Sequence, residues 1–219
     1  GQPRMASDKD FSELIEKFST SAKLAQECGF DGVEIHAAHG YLLSSSLSPR
    51  INNRKDKWGG SFENRARLLQ LILQKVRESV GNNFILAVKI NSSDFQKGGL
   101  EISDSVKIAN LIEKENIDFI EVSGGNFEAP EAYQYVSLKE STKSREAYFL
   151  DAAKNIKASV GIPIMVTGGF RSISVMEDAL TSSSTDLIGI GRPFVIDPSF
   201  PYKLLNGDIS VLPAVERNF

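Results

Sequence analysis

The chain has 219 residues, of which 41% are hydrophobic and 24% charged, a balance typical of a folded globular domain and not of a disordered or fibrous protein. The formal net charge of −3 gives no electrostatic basis for binding nucleic acid or an anionic membrane surface. A single cysteine, Cys28, cannot form an internal disulfide and is typical of a reducing compartment, so we expect a cytoplasmic location. No apolar run reaches the ~18 residues of a membrane span, and no signal peptide is visible.

Amphipathic segments recur along the chain and predict helices. In the first of them apolar residues repeat at helical spacing after a possible N-cap at Ser7 or Asp8, and Gly29 stands where the helix would end. The tail predicts one or two short helices, broken by Pro198 and Pro201. The main predicted helices cover about 10–28, 63–80, 102–115, 146–159 and 172–181.

Short runs rich in apolar and β-branched residues alternate with these helices and predict strands. Their ranges are about 30–35, 84–90, 118–123, 163–167 and 186–191, and the polar segment 124–144 is predicted to be irregular. Continuous apolar strands separated by helices predict a parallel α/β sheet within a single domain over residues 1–219. The length of each of these five strand–helix units is that of a unit in a (β/α)8 barrel, but a complete barrel needs about 250 residues. The sheet is therefore either open with five strands or five-eighths of a barrel.

The residues that follow the first predicted strand are the first candidates for chemistry. His36, His39 and Tyr41 come where its apolar residues stop, and a long polar loop separates them from the helix that begins near Glu63. A loop of that length in a compact domain is more often functional than idle. The H-x-x-H spacing supplies only two metal ligands, so we predict no metal site. A structural pair stays open, and the favoured interpretation is that both histidines donate hydrogen bonds to a substrate oxygen, with Tyr41 as proton donor.

Each later strand also ends near residues that suit ligand binding. Because the carboxyl ends of parallel strands lie at one edge of a sheet, these residues predict a common site, although the glycines have the alternative role of simply turning the chain. Exposed backbone N–H groups in two glycine turns, together with a guanidinium, predict a phosphate cradle, although neither turn is a Walker loop or a dinucleotide fingerprint. These residues are Lys89, Ser123, Gly124, Gly125, Gly168, Gly169, Gly191 and Arg192.

Lys89 interrupts the apolar strand FILAVKI, and a lysine is rarely buried without a partner. One interpretation is a structural salt bridge, and the other is a cation directed at an anionic ring or substrate in the mouth of a barrel. In the long loop, Arg54, Asp56, Arg65 and Arg67 are expected to form ion pairs that pin the loop, without a catalytic role.

The segment HAAHGYLLSSSLSPRINNRKDKWGGSFENRAR resembles the signature of the Old Yellow Enzyme family, NADH:flavin oxidoreductases that hold FMN in a (β/α)8 barrel. The resemblance extends to VKINSSDFQKGG, FIEVSGG, VTGGFRS and DLIGIGRPFVIDP in the same order, and so covers essentially the whole chain. It implies family strands four to eight, with the first three strands missing, and a branch related to bacterial ene-reductases and dienoyl-CoA-type reductases.

The resemblance also implies roles for individual residues. His36 and His39 match the pair that holds the carbonyl or nitro oxygen of an activated alkene, and Tyr41 matches the tyrosine that protonates the neighbouring carbon. Lys89 stands where the family usually has an arginine that faces the pyrimidine edge of the flavin. It keeps the charge but loses the planar fork. Gly168, Gly169, Gly191 and Arg192 match the residues that cradle the phosphate. The implied chemistry is reduction of FMN by NAD(P)H, followed by hydride transfer to a small activated alkene.

The missing strands leave alternatives open. A five-stranded arc has two unpaired edges, so the chain is expected to need its missing N-terminal segment or to form a homo-oligomer. The first residue, Gly1, favours a processed chain or a piece of something longer. The main alternative is a non-catalytic half-barrel remnant that binds flavin, phosphate or a partner chain. A different FMN barrel enzyme, such as a dihydroorotate-dehydrogenase-like protein, is disfavoured by the H-x-x-H-G-Y element.

Overall fold

The computed structural model describes residues 4–126, 128–129 and 146–212, and five parallel strands form one sheet within them. Each strand pairs with the next in the sequence, so β1 and β5 form the two edges. This sequential order is that of a (β/α) barrel, whereas a doubly wound sheet places later strands on both sides of the first. The strands are β1 Gly32–Ala37, β2 Ile85–Asn91, β3 Phe119–Ser123, β4 Ile164–Thr167 and β5 Leu187–Gly189.

Helices separate the strands close to the predicted positions. They are α1 Asp8–Glu27, α2 Leu42–Leu47, α3 Phe62–Val80, α4 Ile102–Glu113, α5 Leu150–Lys157, α6 Ile173–Thr181, α7 Arg192–Ile196 and α8 Phe200–Leu205. Sequence analysis missed α2, which lies inside the predicted long loop, because six residues are too few to reveal a helical period. The predicted irregular segment 124–144 falls mostly outside the described residues.

Local signals explain where the two longest helices begin and end. Ser7 caps α1 by accepting from the backbone N–H of Asp10, whose carboxylate accepts in return from the Ser7 N–H. Ser61 caps α3 in the same way, by accepting from the N–H of Asn64. At its other end Gly81 adopts a φ of +73°, which an L side chain rarely tolerates, and the helix stops there.

The two faces of the sheet have different environments because side chains alternate along a strand. One face is fully buried and packs against α3, α4 and α5 in a single core. From the strands this core includes Leu86, Val88, Ile90, Ile120, Val122, Ile164 and Val166, and from the helices Leu69, Ile72, Leu73, Ile108, Ile112 and Ile156. The opposite face, which would line the interior of a closed barrel, therefore carries the intervening residues of each strand.

This inner face is polar toward the carboxyl ends of the strands and apolar toward their other ends. His36, Lys89 and Glu121 occupy adjacent positions across β1, β2 and β3. Farther from the carboxyl ends, Ile85 and Leu187 leave 45% and 43% of their surface exposed. Large apolar side chains that face the inside of a barrel are normally buried. The inner face is thus a surface that the rest of a closed barrel would cover.

The long loop after β1 is held largely by hydrogen bonds to main-chain carbonyls, which corrects the expectation of ion pairs. Of the four residues expected to form ion pairs, Arg54 and Asp56 pair with each other, at 2.5 Å. Arg65 is buried and donates to the carbonyls of Leu47 and Gly60, at 2.8 and 2.7 Å. Arg67 donates to the carbonyl of Lys57 and to the side chain of Asn64. Carbonyl groups outnumber carboxylates in such a loop, and a sequence does not reveal which of them will point inward.

None of the helices in the described parts of the chain has both the length and the apolar character that crossing a bilayer requires.

We expect Arg65→Met to lower the free energy of unfolding by about 3 kcal/mol, because it leaves the buried carbonyl of Leu47 and the carbonyl of Gly60 without their charged donor. Urea denaturation followed by circular dichroism would measure this loss. Arg67→Met on the same helix is the matched control, since this arginine is only partly buried, and it should cost less than about 1 kcal/mol. Equal losses at the two positions would contradict the assigned role of Arg65.

Candidate active site

The carboxyl ends of the strands surround an open cavity of about 310 Å³. Eight of the eleven predicted site residues line this cavity, which are His39, Lys89, Ser123, Gly124, Gly168, Gly169, Gly191 and Arg192. The remaining wall is formed by Tyr148, Phe149, Thr167, Phe170, Arg171, Gly189, Ile190 and Pro193. The imidazole of His39, the ammonium of Lys89 and the guanidinium of Arg192, which belong to three different strand ends, therefore meet at one place.

Three predicted residues are not part of the cavity wall. Gly125 follows the lining residue Gly124 in the chain, and His36 and Tyr41 lie beside the cavity. The ring of His36 lies 5.2 Å from that of His39 and 5.1 Å from that of Tyr41, measured between centroids. His36 belongs to β1 itself and does not follow it, because the parallel pairing with Lys89 continues beyond the apolar residues. Tyr41 is 50% exposed, so solvent reaches this cluster from the outside.

The backbone of His39 is held in an unusual conformation by a buried asparagine. The φ of His39 is +64°, in the left-handed region, which costs free energy for a residue other than glycine. Its N–H donates to Oδ1 of Asn91 at 3.0 Å, at the end of β2. The amide nitrogen of Asn91 donates in turn to Oδ1 of Asp94 and to the carbonyl of Gly125, at 2.9 and 3.0 Å. The position of His39 is thus set by the end of β2.

Asp94 connects this turn to the long loop. Its buried carboxylate accepts from the hydroxyl of Ser48 at 2.7 Å and from the N–H of Leu100 at 2.9 Å. Ser48 ends α2, so the helix that sequence analysis missed also orients the site. Sequence analysis missed Asn91 and Asp94 as well. Their signal was present, since an amide and a carboxylate follow directly after an apolar strand.

The ring of His39 is oriented by a hydroxyl group. Nε2 of His39 lies 2.8 Å from Oγ of Ser123, at the end of β3. A substrate oxygen that bonds to Nε2 would take the place of this hydroxyl.

Lys89 combines the two interpretations that the sequence left open. Its Nζ lies 2.6 Å from Oε1 of Glu121, so a salt bridge is present. The same side chain lines the cavity and is 19% exposed, so it also presents a cation there. Sequence analysis overlooked Glu121, although a glutamate in the apolar run DFIEVS was as unusual as the lysine in its own strand.

Burial and a nearby cation keep both histidines neutral. Partial burial, followed by the charges of Lys89 and His36, lowers the pKa of His39 from its usual 6.5 to about 4, against an opposing effect of Glu121. The pKa of His36 is also lowered, first by burial and then by Lys89. Neutral imidazoles can donate and accept hydrogen bonds without bringing charge to the cavity.

Two glycine turns shape the opposite wall. A Cβ on Gly168 would lie 2.6 Å from the ring of Phe149, and one on Gly169 would lie 2.6 Å from the ring of Tyr148, so both aromatic rings lie against bare backbone. Gly169 also has a φ of +80°. Gly191 differs, because its φ of −108° suits any residue and, apart from its chain neighbours, no atom of the described residues lies within 4 Å of an added Cβ. Neither its backbone conformation nor its packing against protein atoms requires a glycine at position 191. A ligand that fills this space would require one.

A parallel arc with a polar cavity at its carboxyl rim is the architecture of (β/α)-barrel enzymes. The sequence matches the NADH:flavin oxidoreductase / NADH oxidase family over residues 2–208, and the chain belongs to this family. Members of the family use FMN and NAD(P)H, so the resemblance drawn from the sequence motifs is confirmed at the level of the family and its cofactors.

Three comparisons illustrate the relationship. The chain is 40% identical over 210 residues to the NADH-dependent flavin oxidoreductase iliE of Neonectria sp., covering 92% of this chain and 27% of the relative. It superimposes on 2-naphthoyl-CoA reductase with a TM-score of 0.86 and 32% identity, over 95% of this chain and 32% of the other. An Old Yellow Enzyme homologue from Zymomonas mobilis shares the fold, with a TM-score of 0.77 and 24% identity, over 97% of this chain and 57% of the other. The last similarity confirms the predicted barrel-type α/β fold, of which this chain forms a part.

The chain spans less than two thirds of the length of each of these proteins, at 27%, 32% and 57%.

We expect His39 to remain neutral down to about pH 4. Because its pKa is lower in the folded than in the unfolded chain, stability should fall as the pH drops from 6.5 toward 4. A ¹⁵N NMR titration of the imidazoles measures the midpoint directly, and His39→Gln should remove the corresponding loss of stability. A midpoint at or above 6.5 would contradict the assigned environment.

Proposed function

We propose that this chain is a catalytic part of an FMN-dependent NAD(P)H oxidoreductase that reduces activated alkenes. The proposal depends on the observation that His39, Lys89 and the glycine turns line one cavity in a member of the NADH:flavin oxidoreductase family. We further infer that the enzyme acts in the cytoplasm.

The cavity suits the phosphate end of FMN. We assign the phosphate to the turns of Gly168, Gly169 and Gly191 with the guanidinium of Arg192, because the open space at Gly191 admits a ligand against the backbone. We assign Lys89 to the pyrimidine edge of the ring, where a cation stabilises the negative charge that reduction adds. When bound, FMN supplies the hydride chemistry, which links oxidation of NAD(P)H to reduction of the alkene.

The chain's own residues bind the substrate and move the proton. Neutral His36 and His39 donate hydrogen bonds to the carbonyl or nitro oxygen of the alkene, which gains negative charge as hydride arrives at the β-carbon. Tyr41 gives its hydroxyl proton to the α-carbon, and water restores that proton because the side chain is half exposed. The addition of one hydride and one proton saturates the double bond.

The substrate class follows from this oxygen-binding pair. An alkene conjugated to a carbonyl, nitro or thioester group presents an oxygen to the histidines and an electron-poor carbon to hydride. The similarity to 2-naphthoyl-CoA reductase, at 32% identity, favours the inclusion of conjugated acyl thioesters.

The unpaired edges β1 and β5 favour a second candidate, in which the chain binds flavin or a partner without catalysis. Three further strands, or a second copy of the chain, would cover these edges and the exposed inner face. An FMN titration combined with an assay of NAD(P)H oxidation separates the two candidates, since binding without turnover would identify the remnant.

We expect Tyr41→Phe to lower kcat for alkene reduction by roughly 10²- to 10⁴-fold, with little change in the rate at which NAD(P)H reduces the flavin, because only the proton donor is lost. Stopped-flow measurement of the two half-reactions separates these rates in the full-length holoenzyme. Tyr202→Phe, at a residue that is 71% exposed on α8, is the matched control and should leave both rates unchanged. Equal slowing of both half-reactions would refute a proton-donor role.

Gly191→Ala should leave the fold intact and weaken FMN binding at least about tenfold, since the added methyl group would occupy space assigned to the phosphate. Fluorescence titration of the flavin-free protein measures the dissociation constant, and thermal denaturation tests the fold. Gly161→Ala is the control, because its added Cβ would meet only the end of the Glu113 side chain at 3.3 Å. Unchanged affinity in Gly191→Ala would place the phosphate elsewhere.

A further inference from the structure

Two buried side chains hold the backbone and the ring of His39 separately. They are Asn91 and Ser123, which pair in register at the carboxyl ends of β2 and β3 and are 2% and 6% exposed. The backbone N–H of His39 donates to Oδ1 of Asn91, and its ring nitrogen Nε2 meets the hydroxyl of Ser123. The left-handed backbone of His39, with a φ of +64°, is therefore held from both strands.

The amide of Asn91 has only one orientation that satisfies its neighbours. Its nitrogen Nδ2 lies 2.9 Å from Oδ1 of Asp94 and 3.0 Å from the carbonyl oxygen of Gly125. Both neighbours offer acceptors, so the amide nitrogen must face them and the amide oxygen must face the N–H of His39. Asp94 thus helps to determine which way the Asn91 amide points, and through it the position of His39.

The other oxygen of Asp94 reaches the short helix α2. Oδ2 accepts from the hydroxyl of Ser48 at 2.7 Å and from the N–H of Leu100 at 2.9 Å. Ser48 is the C-cap of α2, and Tyr41 is the N-cap of the same helix. Asp94 and Ser48 are 2% and 1% exposed, so their hydrogen bond is shielded from water.

The first turn of α2 fixes the backbone at Tyr41. The N–H of Ser45 donates to the carbonyl of Tyr41 at 2.7 Å, and the hydroxyl of Ser45 donates to the carbonyl of Gly40 at 2.8 Å. The N–H of Gly40 donates in turn to the hydroxyl of Ser44. A helix of six residues is marginal by itself, so this first turn depends on the contacts that anchor α2, including the one at Ser48.

We propose that Asp94 is a positioning residue that couples the placement of His39 to that of Tyr41. One of its oxygens acts on His39 through Asn91. The other acts on Tyr41 through Ser48, at the opposite end of α2. The catalytic consequence rests on the function proposed above, in which the imidazole binds the substrate oxygen and the phenol protonates the neighbouring carbon. The two groups must then keep a fixed separation, which the shared carboxylate provides.

Amide hydrogen exchange in the full-length protein tests the two arms of this coupling, with the N–H groups of His39 and Ser45 as reporters. In Asp94→Asn the new amide oxygen keeps the two donors that Oδ2 has now, so the new amide nitrogen faces the amide nitrogen of Asn91. Exchange at His39 should then become at least about tenfold faster, because the acceptor of its N–H is no longer held. Exchange at Ser45 should stay as in the native protein.

Further variants separate the second arm from a general loss of stability. Ser48→Ala should do the reverse of Asp94→Asn, with exchange at least about tenfold faster at Ser45 and unchanged at His39. Asp94→Ala should accelerate both amides, and if it does not fold, the other two variants still decide. Thr185→Val is the matched control, because it removes a buried hydrogen bond at the start of β4 and should favour neither amide.

Alkene reduction by the full-length holoenzyme, with cyclohexenone as the probe, tests the catalytic consequence. Asp94→Asn and Ser48→Ala should each lower kcat/KM roughly 10- to 100-fold, because each displaces one of the two groups that act on the substrate. Thr185→Val should keep the native value, since it lies at the opposite end of the sheet.

Native exchange at His39 in Asp94→Asn, or equal acceleration of both amides in Ser48→Ala, would overturn the coupling. Selective acceleration in the two variants, with kcat/KM no lower than in Thr185→Val, would refute the positioning role in the reaction. A native protein that reduces no alkene, while its variants show the selective exchange, would keep the coupling and refute the proposed function. Alkene reduction without the selective exchange would do the reverse.

Discussion

The parallel register of β1, β2 and β3 is the constraint on which the site depends. It places His36, Lys89 and Glu121 side by side on one face. Because side chains alternate along a strand, a slip of one residue would turn these groups into the apolar core and expose Val88 and Ile120 in their place. Burying an ammonium and a carboxylate among helices is costly, so the core and the site enforce the same alignment.

The charges of Lys89 and Glu121 also influence the protonation state of the two histidines. Lys89 lies close enough to lower the pKa of both imidazoles, while Glu121 acts in the opposite sense. The outcome is a pair of neutral rings beside a compensated cation. The left-handed turn of His39 is held by hydrogen bonds from the ends of β2 and β3, and Asp94 joins these to the long loop. The orientation of His39 and the protonation state of both histidines are thus controlled by different groups.

Most of the secondary structure was predictable because the chain is locally consistent. Capping serines and terminal glycines bound the long helices, and the strands are apolar runs. The deviations have physical causes: β1 extends through His36 because backbone pairing does not require apolar side chains, and β5 ends at Gly189, short of the predicted range. Helix α2 was missed because tertiary packing of Leu43 and Leu47, more than periodicity, defines it.

The sequence by itself determined the order of the elements, the family resemblance and the identity of the residues at the carboxyl ends of the strands. These depend on local patterns, since periodicity, caps and motifs are written in consecutive residues. Only the tertiary structure paired Lys89 with Glu121 and connected His39 to Asn91. Such contacts join residues that are tens of positions apart, and their partners are selected by strand register, which a single sequence does not specify.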